Sequence, residues 1–413
     1  MDTTLAVTVI VAPACGVPGI TGASDRGPSS AGSDSPRPVA GGLLFRTIGT
    51  GNGFTCALTP AGEAWCWGFN ERGELGAGDA ITVTRDSSPH KSRPIRVAGG
   101  HGFTTLAVGD HHSCALTAEG DAWCWGDNIA GALGSATTQQ CVHWFNGNWP
   151  CSSTPVRAAA PPLVAIAAGG SLTCGIDRDG RAWCWGGNGE GQLGDGTTTT
   201  RERPAPVSGA VRFVAVASGN LRQACGVTAG GDVWCWGSGL GFGTDTNKRP
   251  SLVPAPAAEG GMFASVTTTW NHTCALDLSG GAWCWGNNGS GQLGDGTRES
   301  RPLAARVAGG YGFVGLTSGE DRTCGVSTQN EALCWGSGFQ GATGVGSGET
   351  CVSIPSVGGT ITVPCAYVPT PVKGGLRFAA LSASGALHTC GVTVGGSAYC
   401  WGNESYGQLG VGP

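Results

Sequence analysis

Residues 272–286 read His-Thr-Cys-Ala-Leu-Asp-Leu-Ser-Gly-Gly-Ala-Trp-Cys-Trp-Gly, and residues 291–296 read Gly-Gln-Leu-Gly-Asp-Gly. Two cysteines ten residues apart, the second followed by Trp-Gly, occur seven times in the 413-residue chain. The first cysteines of successive copies lie 49 to 66 residues apart. Self-similarity at such a period indicates a repeated structural unit, so the structure of one copy decides the fold.

Each copy predicts two β-strands joined by a three-residue loop. In the first copy, pairing Cys56 with Cys66 places Thr59 opposite Glu63 and leaves residues 60–62 as the loop. The third loop position favours a left-handed backbone, which Gly adopts most readily and Asn next. The residues at that position are Gly62, Gly120, Gly180, Gly231, Gly280, Asn330 and Gly396. This register sets the two cysteines of a copy directly opposite each other, close to disulfide reach.

Each copy also has an apolar segment before the hairpin and a further strand after the Gly-x-Leu-Gly turn. Four-stranded units repeating about every 50 residues predict an all-β protein, a seven-bladed β-propeller. The last copy stops at Pro413 without a fourth strand, while residues 39–42 repeat the Val-Ala-Gly-Gly found at residues 97–100. We therefore expect residues 36–40 to complete the seventh blade and close the ring, which protects its edge strands.

These residues resemble the repeats of the regulator of chromosome condensation family, in which His-Thr/Ser-x-Ala-Leu precedes aromatic-x-Trp-Gly and Gly-Gln-Leu-Gly. Three copies carry the histidine signature, at His112, His272 and His388. The other four copies have different residues at the histidine position, namely Phe54, Leu172, Gln223 and Arg322. The resemblance covers residues 36–413 and implies the propeller fold. For function it implies either nucleotide exchange on the Ran GTPase or a binding module.

Eighteen of the 19 cysteines form nine local pairs. The pairs are Cys56 with Cys66, Cys114 with Cys124, Cys141 with Cys151, Cys174 with Cys184, Cys225 with Cys235, Cys274 with Cys284, Cys324 with Cys334, Cys351 with Cys365, and Cys390 with Cys400. Zinc binding is disfavoured because no Cys-x2-Cys motif occurs, whereas free buried cysteines remain an alternative. The hairpin register favours disulfides, which persist in oxidising compartments, so we expect an extracytoplasmic protein.

The remaining cysteine, Cys15, follows a ten-residue apolar run at residues 5–14. This run is too short to span a bilayer but has the length of a signal-peptide core. Residues 1–15 therefore predict a signal-like segment with Cys15 as a candidate lipidation site; a general secretory signal or a free cysteine is the alternative. Residues 16–35 are rich in Gly, Ser and Pro and predict a flexible linker to the propeller at 36–413. The expected location is the cell envelope, as a lipoprotein, or secretion.

Charge and motifs narrow the functional classes. The net charge is −5, so no basic surface for nucleic acid is indicated. No phosphate loop, nucleophile elbow or zinc protease motif occurs, and no cofactor or metal is expected. We expect a monomeric, non-enzymatic binding or scaffold propeller of the envelope that engages a protein or glycan partner, with the membrane reached only through a lipid anchor. A guanine-nucleotide exchange factor and an enzyme at the channel mouth remain alternatives.

The predicted binding surface lies on the face that carries two insertions, near residues 135–155 and 345–368, between the third and fourth strands of their blades. Because strands alternate in direction, the loops joining first to second strands emerge on this same face. Rigid scaffolds present function on loops, and aromatic anchors dominate binding energy. The candidate residues are His111, Trp144, Phe145, Trp149, Arg222, Trp270, Asn271, Asp321 and Arg322. Alternatively, both insertions are decorative, with their aromatic side chains packed on the blade.

Overall fold

The computed structural model describes residues 32–79, 82–83, 89–143, 147–219, 222–239, 250–258, 262–269, 271–346, 348–353, 361–383, 385 and 387–412. These residues form seven small sheets, each with at least four strands, and all pairs are antiparallel except that of the two-residue strand Thr82–Val83. The predicted seven-bladed β-propeller is confirmed. Short glycine turns join the strands, and one three-residue 3-10 turn, Phe339–Gly341, follows the third strand of blade 6.

In blades 1 to 6 the four main strands run in sequence order from the channel outwards, and in blade 7 the N-terminal strand takes the outermost place. The strands of blades 1 to 4 are Thr47–Thr50, Phe54–Leu58, Ala64–Phe69 and His90–Arg96; Phe103–Val108, His112–Thr117, Ala122–Asp127 and Gly147–Arg157; Leu163–Ala168, Leu172–Asp177, Ala182–Gly186 and Arg201–Pro206; and Phe213–Ser218, Gln223–Thr228, Val233–Gly237 and Ser251–Ala258. Those of blades 5 to 7 are Phe263–Thr268, His272–Asp277, Ala282–Gly286 and Arg301–Arg306; Phe313–Gly319, Arg322–Ser327, Ala332–Ser337 and Ile361–Pro371; and Phe378–Ser382, His388–Thr393, Ala398–Gly402 and Ser33–Pro38.

The N-terminal strand closes the ring, as predicted. Ser33–Pro38 pairs antiparallel with the third strand of blade 7, with Arg37 opposite Cys400 and Pro38 opposite Tyr399. The strand starts at Ser33, so the sequence-based boundary at residue 36 is three residues late. The error arises because Ser33–Pro38 is polar and proline-containing, a composition also typical of a linker.

The hairpin register in all seven blades is the predicted one. Cys56 lies opposite Cys66, and the loop turns at Gly62 with φ of 84°. Asn330, the one non-glycine residue at this position, also has a positive φ, 62°. Local sterics in the loop therefore set the pairing of the two strands.

All nine cysteine pairs expected from the sequence are disulfide-bonded. The Cα atoms of the paired cysteines within the blade hairpins are 4.0 to 4.1 Å apart. The seven blade disulfides join Cys56 to Cys66, Cys114 to Cys124, Cys174 to Cys184, Cys225 to Cys235, Cys274 to Cys284, Cys324 to Cys334, and Cys390 to Cys400. The two disulfides of the insertions join Cys141 to Cys151 and Cys351 to Cys365.

The core between blades is built from the tryptophan of each Cys-Trp-Gly. All seven of these side chains are fully buried: Trp67, Trp125, Trp185, Trp236, Trp285, Trp335 and Trp401. Trp125 Nε1 donates to the carbonyl of Glu74, in the Gly-x-Leu-Gly turn of the preceding blade, at 2.9 Å. Trp67 Nε1 makes the equivalent bond to Gln408 O, from the last blade to the first, at 2.9 Å. One residue type thus both fills the core and links neighbouring blades.

Around the channel, glycines allow the blades to approach closely. A Cβ atom on Gly109 would lie 2.2 Å from the carbonyl oxygen of Gly169 in the next blade. A Cβ atom on Gly385 would lie 2.0 Å from Gly51 O, across the junction of the last and first blades. A side chain at Gly109 or Gly385 would push neighbouring blades apart, which explains why six of the seven copies have glycine before the second strand; blade 5 has Thr269 there.

Candidate functional site

The two insertions extend the outer strands of blades 2 and 6 as hairpins. In blade 2, Gln140–His143 pairs with the start of Gly147–Arg157, and the same long strand then pairs with the third strand of the blade. In blade 6, Glu349–Ser353 pairs with Ile361–Pro371 in the same way. We call the end of the propeller that carries these hairpins and the loops joining first to second strands the insertion face.

The hairpin of blade 2 also contacts blade 1. The two-residue strand Thr82–Val83 pairs with it in parallel, placing Thr82 opposite Val142. Gly78 N donates to Ser153 O at 2.7 Å. The first insertion is therefore fixed by its disulfide, by its own blade and by the neighbouring blade.

Trp149 lies at the base of this hairpin and is half-buried. The guanidinium carbon of Arg72, from the blade 1 loop, is 5.2 Å from the centroid of the Trp149 ring. Arg72 Nη1 also lies 3.0 Å from Asp127 Oδ2, at the end of the third strand of blade 2. A cation over an aromatic face is attracted by the ring quadrupole. Trp149 is therefore held in one orientation by a charged group from the neighbouring blade.

Glu74 and His111 lie beneath this group. Glu74 Oε2 accepts a hydrogen bond of 2.7 Å from Arg72 N, and its Oε1 lies 3.9 Å from His111 Nδ1. Burial raises the pKa of Glu74 to about 8, although the charge of Arg72 opposes the shift. Burial, with the charge of Arg72 adding to it, lowers the pKa of His111 well below its ordinary value. Both side chains thus favour their uncharged forms at neutral pH.

Among the candidate residues on blades 4 to 6, some are exposed on loops and others are buried between blades. Arg222 is exposed on the loop of blade 4. Asn271 is buried, and its Nδ2 donates to Asp321 Oδ1 at 2.9 Å, so these two residues lie together at the junction of blades 5 and 6. Arg322 is also buried, and its Nη2 donates to the carbonyls of Gly385 and His388 at 2.6 and 2.7 Å. The burial of Asn271 and Arg322 disagrees with the surface role expected for them.

The reason for the burial of Arg322 is its place in the repeat. It occupies the histidine position, where His112 Nε2 lies 2.8 Å from Thr173 Oγ1 of the next blade and His388 Nε2 lies 2.8 Å from Thr55 Oγ1. Arg322 Nε reaches Thr389 Oγ1 in the same way, at 3.3 Å. The histidine position therefore serves the contact between blades. Trp144, Phe145 and Trp270 lie outside the described residues.

Sequence reasoning missed Arg72, Glu74 and Asp127, which build the site around Trp149. One signal was present: the first copy reads Gly-Glu-Leu-Gly at residues 73–76, where copies 3, 5 and 7 read Gly-Gln-Leu-Gly. A carboxyl group in place of an amide at a buried turn indicates either a charged neighbour or surroundings that keep the carboxyl group uncharged. Within the described residues, no group of three or more metal-ligating side chains could hold a metal ion.

Comparisons with known proteins agree with this architecture. Residues 81–413 match the family model described as the RCC1-like domain, and residues 45–74 match the regulator of chromosome condensation (RCC1) repeat. The RCC1 domain-containing protein RUG3, mitochondrial, of Arabidopsis thaliana is 34% identical over 172 residues, 41% of this chain and 35% of that protein. The human E3 ubiquitin-protein ligase HERC2 is 27% identical over 276 residues, 63% of this chain and 5% of that protein.

The fold is also that of a solved propeller. Yeast RCC1 (Prp20), in its crystal structure bound to Kap60, aligns with a TM-score of 0.70 at 21% identity, over 90% of this chain and 83% of that chain. The chain matches only about a third or less of the length of RUG3 and HERC2. The repeat, the seven blades and the family model covering residues 81–413 together show that this chain belongs to the family of RCC1-like domains.

Proposed function

We propose that this chain is a non-enzymatic binding propeller that works outside the cytoplasm and holds a protein partner on its insertion face. The observation that carries the proposal is the hairpin at 140–157, which is closed by the Cys141–Cys151 disulfide and presents Trp149 in an orientation set by Arg72. Aromatic and arginine side chains dominate the energy of protein interfaces. A rigid loop also loses little conformational entropy on binding.

Export is supported by the nine disulfides, which indicate an oxidising environment. None of the helices among the described residues is long and apolar enough to cross a membrane. We propose residues 1–15 as a leader, Cys15 as a lipidation site and the segment after it as a tether.

Gly32 lies against the carbonyls of Gln340 and Gly402, so the tether would leave the propeller at the insertion face. The proposed tether of residues 16–31, treated as a flexible chain, would span about 20–25 Å, so a lipid on Cys15 would hold this face near the membrane.

A protein partner is favoured over a glycan because structural relatives are described with protein partners. Yeast RCC1 is seen bound to Kap60, and a second yeast Prp20p structure is described with binding to Gsp1p and histones. Exchange on a cytosolic GTPase would require a reducing compartment, in which nine disulfides do not persist. The match to HERC2 covers 5% of that protein and gives no ground for proposing ligase activity.

The proposal is tested by capture from envelope extract with the oxidised protein as bait. Trp144, Phe145 and Trp149 are replaced together by alanine in one variant, and the exposed Val164 and Val214 of the opposite face are replaced by alanine in the matched control. We expect the first variant to lose the partner while its melting temperature changes little, and the control to retain it. Unchanged capture by the first variant, or loss of its fold, would assign these aromatic residues to packing instead.

A further inference from the structure

A cavity of about 230 Å³ occupies the channel on its insertion-face side. The inner strands of blades 2 to 6 line it. Its lining includes the apolar residues Leu106, Ile166 and Val216 and the hydroxyl-bearing residues Thr267, Thr317 and Ser318, and Asp110 lines its outer end, which we call the mouth. The cavity therefore offers both apolar and polar groups to a ligand, as small-molecule sites do.

Asp110 lines this mouth, and the charge of Glu320, from the equivalent loop of a non-adjacent blade, acts on it. Asp110 belongs to blade 2, and Glu320 and Asp321 belong to blade 6. Desolvation, followed by the charge of Glu320, raises the pKa of Asp110 to about 8. Desolvation by the surrounding loops, with the charge of Asp321 adding to it, also raises the pKa of Glu320, although the side chain itself is exposed at the surface. Ionising these groups is unfavourable unless a cation lies between them.

The two arginines whose charges reach these carboxyl groups already have other partners. Arg72 lies 3.0 Å from Asp127 and stacks on Trp149. Arg322 donates to the backbone carbonyls of blade 7. The contacts of both guanidinium groups are thus with groups other than Asp110 and Glu320.

A second observation concerns Ser318. Its side chain is buried and lines the cavity, and its Oγ has no hydrogen-bond partner among the described residues. The hydroxyl groups at the same position of other blades do have partners: Ser218 Oγ donates to Ala167 O, and Thr268 Oγ1 pairs with Thr273 Oγ1. An unsatisfied buried hydroxyl beside a cavity indicates a missing hydrogen-bond partner.

We propose that the channel mouth binds an organic ammonium or guanidinium group, held between the carboxylates of Asp110 and Glu320 and donating to Ser318 Oγ. Charge-assisted hydrogen bonds to carboxylates are stronger than hydrogen bonds between neutral groups, and they are strengthened further where water is excluded. The group comes either from a free alkylamine, whose chain lies along Leu106, Ile166 and Val216, or from a basic side chain of a protein. The inference deepens the proposed binding function because the cavity opens on the insertion face.

Calorimetric titration with small amines tests the inference without any protein partner. At pH 8.5 and low salt, we expect saturable binding of n-butylammonium and no binding of n-butanol. The Asp110→Asn/Glu320→Gln variant should bind at least tenfold more weakly. Glu320→Gln alone, at an exposed position, should already bind several-fold more weakly, which guards against misfolding of the double variant. Asp179→Asn, in an exposed loop of the opposite face, should bind like the unmodified protein.

The length of the alkyl chain distinguishes a free alkylamine from a protein side chain as the source of the cation. If the alkyl chain enters the channel, affinity should rise about fourfold per methylene from methylammonium to butylammonium. If the group belongs to a protein side chain that enters from outside, affinity should not depend on length. Absence of saturable binding, or equal affinity in the Asp110→Asn/Glu320→Gln variant, would overturn the inference. Either result would leave the hairpin-based capture experiment unaffected, so the two proposals fail separately.

Discussion

His388 Nε2 of the last blade lies 2.8 Å from Thr55 Oγ1 of the first blade, and both side chains are fully buried. Thr55 Oγ1 in turn lies 3.0 Å from Gln408 O, to which it donates. Two groups of the last blade thus meet at one hydroxyl of the first blade. The closing strand covers the outer edge of the seventh blade, whereas this contact joins the two blades near the channel.

We expect Thr55→Val to destabilise the protein by about 1–3 kcal/mol, because it leaves His388 Nε2 without its partner in a buried site and removes one of the two hydrogen bonds to Gln408 O. Ser113→Ala is the control, since the described contact of the Ser113 hydroxyl is with Cys56 Sγ at 3.6 Å, a weak interaction. Its cost should be below about 1 kcal/mol. Denaturant unfolding measures both. Equal losses of unfolding free energy in the two variants would show that the His388–Thr55 contact adds nothing to ring closure.

The three repeat histidines should make the protein sensitive to acid. Burial lowers the pKa of His112 to about 4 and the pKa values of His272 and His388 to about 3. Because these values lie below the 6.5 of an unfolded histidine, the unfolded chain binds protons first as pH falls. The stability they contribute is complete above pH 6.5 and is lost as pH falls towards 4 and 3. At pH 5 each histidine should lower the free energy of unfolding by about 2 kcal/mol relative to its value above pH 6.5.

Glutamine is the matched replacement, because Gln223 occupies the same position in blade 4 and donates to Thr269 O. The His112→Gln/His272→Gln/His388→Gln variant should lose less stability between pH 7.5 and 5 than the unmodified protein. Glu74 and Asp110, whose raised pKa values act with the opposite sign, are present in both proteins. Thermal unfolding at several pH values measures the difference. Parallel pH profiles would contradict the burial of neutral histidines.

The sequence predicts the parts of the fold that follow from local sterics. The left-handed position at Gly62 fixes the hairpin register, and that register places Cys56 opposite Cys66. The contacts of Glu74 with His111 are not predictable in this way, because they join residues of different blades whose spacing obeys no repeat. Thr82–Val83 is too short for any alternation of polar and apolar residues to mark it as a strand. Arg322 is expected at the binding surface because it follows the loop joining the first and second strands of blade 6, whereas the structure buries it and backbone carbonyls accept its hydrogen bonds.

Removing the closing strand should destabilise the whole ring. Deleting residues 1–38 takes away Ser33–Pro38 and exposes the edge of Ala398–Gly402, so we expect a lower melting temperature and self-association. Deleting residues 1–31 leaves every described contact in place and is the control. Thermal unfolding and size-exclusion chromatography measure both. Similar behaviour of the two deletions would show that the N-terminal strand does not close the propeller.

Thiol counting tests the oxidised state of the blades. The denatured, non-reduced protein should show one free thiol where Cys15 carries no lipid and none where it does, because the other 18 cysteines are paired. Replacing Cys174 and Cys184 by alanine should lower the free energy of unfolding by about 2–3 kcal/mol, from the entropy of an 11-residue loop. Many free thiols in protein from its native compartment would contradict both the disulfides and the proposed export.

The claim that a protein partner binds the insertion face is tested most directly by site-specific photo-cross-linking in the native envelope. A photoreactive residue is placed at Val142, exposed on the hairpin of blade 2, or at Leu278, exposed on the opposite face. We expect one defined protein adduct from position 142 and none from position 278. An adduct from position 278 alone, or the same adduct from both positions, would contradict it.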